Sequence, residues 1–478
     1  MTTTPIDGRT TGTRDTRWLA LVVIAVAQLM VALDATIVNI SLPTAQAALG
    51  FGDADRTWVV TAYTCTFAGL LLLGGRVADR FGRRRAFLGG LLGFATASAL
   101  AGLAPTYGVL ITGRALQGAF AAVLAPTALS LVATTFQGRE RAKAFGVYGA
   151  VASSGAAVGL LLGGVLTEYA GWRWCLFVNV AIAGAAALAG RAFLPADDGH
   201  PDARTDVVSG LLVTSGLAAV VLGCSQAAAH GWSSANVLAP LAVGVLLVTA
   251  FLVRQRRSAA PMLPLRVLAD RSRAGAYLAV AISVVGSFGM FLMLTYHFQV
   301  VLGWSPVHSG LAFLPLSLTV SASAFGLGSR LLPLVAPRYL IAGGIVPAAA
   351  GLALLTTLTP GSSYLAVILP AELLLGLGSG LIFTPAISVA TSEVEPRYAG
   401  IAAATANTAM QVGSSVGTAV LNSVAVAATA AYAGTDPRAA LVHGYATATG
   451  WSAAALGVTA VLVLVLVRTP RPEQAGMS

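Results

Sequence analysis

The chain has 478 residues, of which 56% are hydrophobic and only 10% charged, yet its formal net charge is +10. Soluble domains carry about 25% charged residues, so there is too little polar side chain here to cover a solvated surface. Disorder needs low hydrophobicity with high charge density and is excluded as well. A basic nucleic-acid-binding domain is excluded by the same shortage. A mean hydropathy of +0.81 leaves an all-α polytopic membrane protein.

A helix crossing the ~30 Å hydrocarbon layer takes about 20 mostly apolar residues. Taken in chain order, the first such run is 18–40, with Gln28, Asp34 and Asn39, followed by 57–75, with Tyr63, and 86–104. Next come 107–133, with Arg114 and Gln117, then 144–166 and 174–194. Two runs without charged residues before their ends, 207–227 and 236–253, precede 274–302, with Tyr296 and His297. The last five are 308–329, 339–359, 363–388 with Glu372, 399–428 with Asn407 and Gln411, and 444–467. That is fourteen spans. Barrel strands are ~10-residue segments of alternating polarity, and these runs are longer and apolar throughout. The first run is span-length and carries Asp34, so it is expected to be a retained span rather than a cleaved signal. The remaining segments are too short to bury a soluble core.

An even number of spans puts both termini on one face, and the basic residues assign it. Of 28 basic residues, 27 are Arg, a skew that accords with a GC-rich bacterial genome. Twenty-four of the 28 fall on the face of the N-terminus, concentrated in 76–85, 139–143 and 254–273, and only Arg56, Arg173 and Arg438 fall opposite. Both termini are therefore expected to be cytoplasmic. Cys65, Cys175 and Cys224 are scattered and odd in number, which suits small buried side chains rather than disulfides or a metal cluster. Six of the seven Trp, at 58, 172, 174, 232, 304 and 451, fall near outer span ends, where an interfacial belt would place them.

The chain also repeats itself. Arg114-Ala-Leu-Gln117-Gly118, Pro126 and the pair Gly155/Gly159 find counterparts in Glu372 with Gly376, Pro385 and the pair Gly413/Gly417. The prolines stand 259 residues apart and the glycine pairs 258. Spans 1–6 and 9–14 thus form two related halves, with spans 7 and 8 inserted. The expected domains are a tail 1–17, a six-helix bundle 18–194, a linker 195–273 holding spans 7 and 8, a second bundle 274–468 and a tail 469–478. Duplicated halves mark transporters, with the substrate site near the midplane between them.

Between spans 2 and 3 the chain reads Gly75-Arg-Val-Ala-Asp79-Arg80-Phe-Gly82-Arg83-Arg84-Arg85. Asp79 is the informative residue of an otherwise ordinary basic loop, because an acid there can cap a neighbouring helix N-terminus and pair with Arg. This segment resembles the signature loop of the major facilitator superfamily, and the resemblance extends over about 18–468. Leu33-Asp34-Ala-Thr36-Ile-Val-Asn39-Ile-Ser-Leu-Pro43, Arg114-Ala-Leu-Gln117-Gly118 and Gly155-x-x-x-Gly159-x-x-x-Gly163-Gly164 resemble the 14-span drug:proton antiporters of the EmrB/QacA type. The chain departs from that pattern at Ala156 and Leu160, where the family commonly has proline. The glycines recur every fourth residue along one helix face and let another backbone approach closely, whether as static packing or as a gating surface.

Asp34, Arg114 and Glu372 are the charges that topology leaves unexplained. Intramembrane ionisable residues face a cavity or a partner by default. At 1.5 Å per residue, Asp34 and Arg114 both lie about 9 Å from the outer end of their spans, and Glu372 about 12 Å. Asp34 is expected to be the proton site with Arg114 as its modulating partner, the alternative being a static ion pair. Glu372 is left as a second proton site, a counter-ion for cationic substrates or a side chain snorkelling outward. His297 is expected at the outer interface. Asn39, Tyr63, Gln117, Tyr296, Asn407 and Gln411 are candidates to line the cavity.

The resemblance implies the major facilitator fold, two six-helix bundles plus an inserted pair, in a bacterial inner membrane. It implies a carrier rather than an enzyme, with the proton as coupling ion, no cofactor, no metal and no obligatory protein partner. The implied activity is proton-coupled efflux of hydrophobic or cationic drugs by alternating access. The rivals are an exporter dedicated to one endogenous metabolite, antibiotic or lipid-like compound and, more remotely, a non-transporting membrane sensor or scaffold.

Overall fold

In hydrocarbon no water is available to the peptide groups, so a spanning chain must satisfy them within itself, and a helix does so segment by segment. The computed structural model follows that rule and describes residues 11–53, 55–195, 206–258, 261, 263, 265, 269–391 and 399–467. Most of both tails, together with Arg9, Arg204, Arg266, Arg397, Arg468 and Arg471, lies outside the described residues. Among the described residues fourteen span-length helices follow one another: α1 Thr11–Leu49, α2 Trp58–Phe81, α3 Arg83–Gly102, α4 Tyr107–Thr135, α5 Gly138–Tyr169, α6 Trp174–Phe193, α7 Val207–His230 and α8 Ala235–Arg257. They continue with α9 Arg271–Val301, α10 Pro306–Leu331, α11 Pro337–Thr357 and α12 Tyr364–Ala390, then α13 Ala399–Ala430 and α14 Pro437–Leu466. Thirteen are long and apolar enough to cross a bilayer as they stand, and α2 makes the fourteenth across a 56° bend between Leu71 and Leu73.

The repeat in the sequence is a repeat in space. α1 packs along α5 as α9 packs along α13, α2 on α4 as α10 on α12, and α3 on α4 and α6 as α11 on α12 and α14. Between the halves α2 meets α13 and α5 meets α10, two contacts that the repeat exchanges. Glycine makes these approaches possible. A Cβ on Gly113 would stand 2.7 Å from that of Ala101, and one on Gly378 would stand 2.6 Å from the amide nitrogen of Ala348. The inserted α7 pairs with α8 and lies against both α2 and α13, so it straddles the seam. At its base Asp206 caps the helix, accepting from the Ser209 amide at 3.1 Å, and pairs with Arg254 at 3.0 Å. Burial works against the charge on Asp206, but the hydrogen bonds from Arg254 and Ser209 outweigh it and hold the carboxyl below its usual range.

Several boundaries differ from the expected ones. α1 runs to Leu49 with Pro43 inside it, because a membrane helix tolerates the amide that proline lacks. Its last turns lie against the second half. Span 10 is not one regular helix: α10 joins Pro306–Ala312, Leu314–Ser321 and a π-helical stretch Ala322–Gly328. π turns also end α9, at His297–Val301, and open α12, at Tyr364–Ile368. α5 is unbroken from Gly138 to Tyr169, with Ala156 and Leu160 standing where the family pattern commonly has proline. The three cysteines are free and buried. Trp174, Trp232 and Trp451 are exposed, as a belt requires, whereas Trp172 is buried and Trp304 stacks on Phe298.

Gly378→Ala should therefore force α11 and α12 apart, costing about 1–3 kcal/mol and lowering the thermal midpoint of the detergent-solubilised protein. Gly457→Ala, with open space around its Cβ, should leave the midpoint unchanged or raise it.

Candidate functional site

Asp34 is fully buried, in the middle of α1. Its carboxylate accepts three hydrogen bonds: from Arg114 Nη1 at 2.7 Å, from Asn179 Nδ2 at 2.7 Å and from Gln117 Nε2 at 3.2 Å. Arg114, 1% exposed, also donates from Nε to the Val59 carbonyl at 3.0 Å and from Nη1 to Gln117 Oε1 at 2.9 Å. Its guanidinium carbon lies 4.6 Å from the centroid of the Tyr63 ring. Gln117 completes the set by donating to Ser98 Oγ at 2.7 Å. Five of the six spans of the first half, α1, α2, α3, α4 and α6, thus converge on one ion pair. All three neighbours of Asp34 donate, so the arrangement suits an anion. The Tyr63 hydroxyl and Asn179 Oδ1 are buried and make no hydrogen bond among the described residues.

α5, the sixth span, holds α1 from behind. A Cβ on Gly155 would lie 2.6 Å from that of Ala32, and one on Gly159 would lie 2.8 Å from the Leu33 carbonyl oxygen. Gly163 faces Ile37 in the same way, and Thr36 Oγ1 donates to the Ala156 carbonyl at 3.3 Å. The glycine ridge is therefore seated on the turns of α1 that flank Asp34. Gly164 points elsewhere: its Cβ would lie 2.7 Å from the Pro306 carbonyl oxygen of the second half. The helix serves two neighbours with two faces.

Glu372 stands apart from this network. It is 1% exposed, which removes the snorkelling alternative. Oε2 accepts from the Tyr364 hydroxyl at 3.4 Å, and Oε1 is buried without a hydrogen-bond partner among the described residues. Tyr364 joins Phe298 and Trp304 in an aromatic cluster within the second half. His297 is not interfacial. It is fully buried, both ring nitrogens lack partners among the described residues, and it lines a cavity of about 10 Å³ with Met290, Met293 and Tyr445. Residues of its own half cover what would otherwise be the end of a span: Met290, Met293 and Leu294 of α9, Leu355 and Leu358 at the end of α11, and Tyr445 and Thr449 of α14.

The other candidates divide. Tyr63 and Gln117 belong to the ion-pair network, and Asn39 is buried and bonds back to the Ala35 carbonyl of its own helix. Tyr296 sits at the seam between the halves, donating to Gln46. Asn407 is half-buried and Gln411 buried on α13. In the basic loop, Gly82 adopts a φ of 88°, which reverses the chain between α2 and α3 at little steric cost. Arg83 donates to Ser130 Oγ at 2.7 Å, Arg84 to the Arg191 carbonyl, and Gly75 lies beside Pro126. Asp79 and Arg80 are exposed at the end of α2. The expected cap and ion pair of Asp79 are not formed among the described residues.

Sequence reasoning missed Asn179 and Ser98, which nothing in their local pattern sets apart from ordinary interhelical polar residues. It also missed Arg56. Counted on the outer side as one of three exceptions, Arg56 is only 2% exposed.

Residues 24–418 match the Major Facilitator Superfamily. The chain is 50% identical over 472 residues to a puromycin resistance protein of Streptomyces alboniger, covering 96% of this chain and 93% of that one. It is 41% identical over 425 residues to a cephamycin export protein of Amycolatopsis lactamdurans, covering 87% and 86%. To the tetracenomycin C resistance and export protein of Streptomyces glaucescens it is 33% identical over 413 residues, covering 86% and 76%. Its fold matches the crystal structure of a bacterial homologue of the human lysosomal transporter Spinster, with a TM-score of 0.69 at 15% identity over 96% of this chain and 99% of that one.

Removing one member of a buried ion pair strands the other, at roughly 3–5 kcal/mol. Asp34→Leu and Arg114→Met should each lower the thermal midpoint, and the double variant should recover most of the loss. Additive losses in that cycle would show that the two side chains do not depend on each other.

Proposed function

The chain belongs to the major facilitator superfamily, and from that premise we propose that it is a proton-coupled exporter of antibiotic-like small molecules working by alternating access. The observation that carries the reading is the Asp34–Arg114 pair, buried at 0% and 1% exposure and joined at 2.7 Å. A carboxylate that serves packing alone could be replaced by an apolar residue at no loss. One that must exchange a proton needs a cation to stabilise its charged form and a way to part from it.

The cycle has two limbs. With the Arg-poor ends of the halves closed, Asp34 is held as an anion by Arg114, Asn179 and Gln117 while substrate enters from the Arg-rich face. When the Arg-poor side opens, a proton neutralises Asp34. Arg114 keeps Val59 and Gln117 as acceptors, so its own desolvation is partly met. Asn179 Oδ1, lacking a partner among the described residues, is the acceptor that a protonated Asp34 can use after the amide turns. We place both termini in the cytoplasm of a bacterial cell, following the 24 to 3 division of basic residues. We take residues 18–194 and 274–468 as the moving bundles, with 195–273 carrying the inserted pair. Glu372 with Tyr364 forms a second buried carboxylate, which we assign to the cationic group of a substrate or to a second proton.

The relatives' names favour a narrow substrate range over broad multidrug export, since each specifies one antibiotic: puromycin, a cephamycin or tetracenomycin C. Those compounds are unlike one another, so the shared chemistry is the coupling and the substrate range varies on the same frame.

In everted membrane vesicles energised by a proton gradient, with puromycin as the probe, Asp34→Asn should reduce uptake to background at unchanged membrane abundance. Wild-type uptake by that variant would end the proton-coupled reading. Glu372→Gln should weaken export of a cationic compound more than of a neutral one. Expression in a sensitive host should protect against one structural class in a panel of puromycin, a cephamycin and ethidium. Protection against all three would restore the multidrug alternative.

A further inference from the structure

Hydrogen bonds join the two halves at their Arg-poor ends, and one residue stands at their centre. Arg56 stands in the turn that leads into α2, its carbonyl accepting from the Val59 amide at 3.4 Å. Its Nε donates to Asn422 Oδ1 of α13 at 2.9 Å. Its guanidinium carbon lies 4.2 Å from the centroid of the Tyr296 ring of α9 and 6.0 Å from that of Tyr445 of α14. Asn422 returns the contact by donating from Nδ2 to the Asp53 carbonyl at 3.1 Å, and Tyr296 donates to Gln46 at the end of α1. A guanidinium of the first half is thus enclosed by three helices of the second.

Its one ion-pair partner among the described residues is Asp53, 3.7 Å away and half exposed. Burying a charge among neutral partners is unfavourable unless its donors are bonded and its face is stacked. That makes Arg56 a poor way simply to fill space. It suits a contact that must release, because the ion can return to water when the halves part. A cavity of about 180 Å³ lined by Asp53, Arg56, Thr429 and Tyr445 adjoins the guanidinium, leaving room for that water.

The first turn of α2, which follows directly, reaches the proton site. Val59, three residues after Arg56, offers its carbonyl to Arg114, and Tyr63, one turn further on, lies under the Arg114 guanidinium. We infer that Arg56 is the outer latch of the carrier: it must leave Asn422 and Tyr296 for the Arg-poor end to open, and the first turn of α2 couples it to the Asp34–Arg114 pair. Arg56 acts through position, without touching proton or substrate. The inference rests on the alternating-access reading above. A change in Asp34 frees or fixes Arg114, Arg114 holds Val59, and Val59 shares its turn with the residue that closes the seam.

The test reads the opening itself. Spin labels go on Leu103 and Ser363, both exposed in Arg-poor loops of opposite halves, in full-length protein with the three buried cysteines replaced. The minor conformer of a two-state protein is populated on the order of 0.1–10%. Arg56→Gln should raise the long-distance population about tenfold, which corresponds to about 1.4 kcal/mol, and Asn422→Ala, which removes the acceptor from the other half, should act in the same direction. Arg56→Lys, keeping the charge but losing the planar stack, should fall between. Asp34→Asn should raise the same population in the wild-type background and add little on top of Arg56→Gln. An unchanged distance distribution in either a folded Arg56→Gln or a folded Asn422→Ala protein would overturn the latch. Full additivity with Asp34→Asn would overturn its coupling to the proton site. Loss of proton-driven export is a separate measurement, so the latch and the antiport reading can fail independently.

Discussion

An ion pair with no access to water fixes more than its own two residues. Asp34 and Arg114 are tolerated inside a membrane bundle because the donors around them are matched, the Tyr63 hydroxyl excepted: Val59 and Gln117 accept from Arg114, Ser98 from Gln117 and Asp34 from Asn179. Each partner comes from a different helix, so satisfying one charge sets the rotation and depth of five spans at once. The glycine ridge of α5 is the complement of this requirement. By letting α5 lie directly on the backbone of α1 at Leu33 and Ile37, with the small side chains of Ala32 and Thr36 seated at Gly155 and Gly159, it fixes the height of the carboxylate.

The repeat makes the asymmetry between the halves informative. Gly155 and Gly159 stand 258 residues before Gly413 and Gly417, and Gly118 stands 258 before Gly376. At the same offset Arg114 corresponds to Glu372. Equivalent positions on α4 and α12 therefore carry opposite charges. In the first half the cation meets an acid on α1, whereas in the second the acid meets a tyrosine of its own helix. Duplication supplied the same small-residue approaches twice, and the charges were then specialised. The three π-helical stretches all fall in the second half. Such stretches are frequent at functional sites, and two of them carry the buried His297 and the Tyr364 that meets Glu372.

How much of this could be read from the residues depended on how local the cause was. Fourteen apolar runs, the basic face and the glycine periodicity are properties of short windows, and the helices, the seam and the α1–α5 approach follow from them. Asp34 and Arg114 stood out because a charge in an apolar run has few explanations. Asn179 did not, because an asparagine in a span gains meaning only from what lies opposite, 145 residues away in the chain. His297 and Arg56 were misjudged for a related reason: both stand at span ends, where water is the default neighbour. Arg56 is buried by the other half, through the docking of α13 on the loop before α2, whereas His297 is covered by α11 and α14 of its own half. Pro43 itself reads as a stop only by the rules of soluble helices.

On the proposed reading, the charge of the substrate decides which part of the proton gradient can drive it. The membrane potential contributes about 2.3 kcal/mol per charge per 100 mV. A neutral molecule exchanged for one proton moves one net charge and gains that term in full. A monovalent cation exchanged for one proton moves none and is driven by the pH difference alone. With Asp34 as the sole coupling site, cationic substrates would therefore be exported against smaller gradients than neutral ones. A second titrating carboxylate would restore the electrical term for cations. Glu372 is the one other buried acid among the described residues, and it lies in the half opposite the Asp34–Arg114 pair. Its geometry fits either of two roles that exclude each other in one cycle: neutralising a cationic substrate, which leaves the cation with the pH term only, or carrying a second proton, which gives the cation the potential as well.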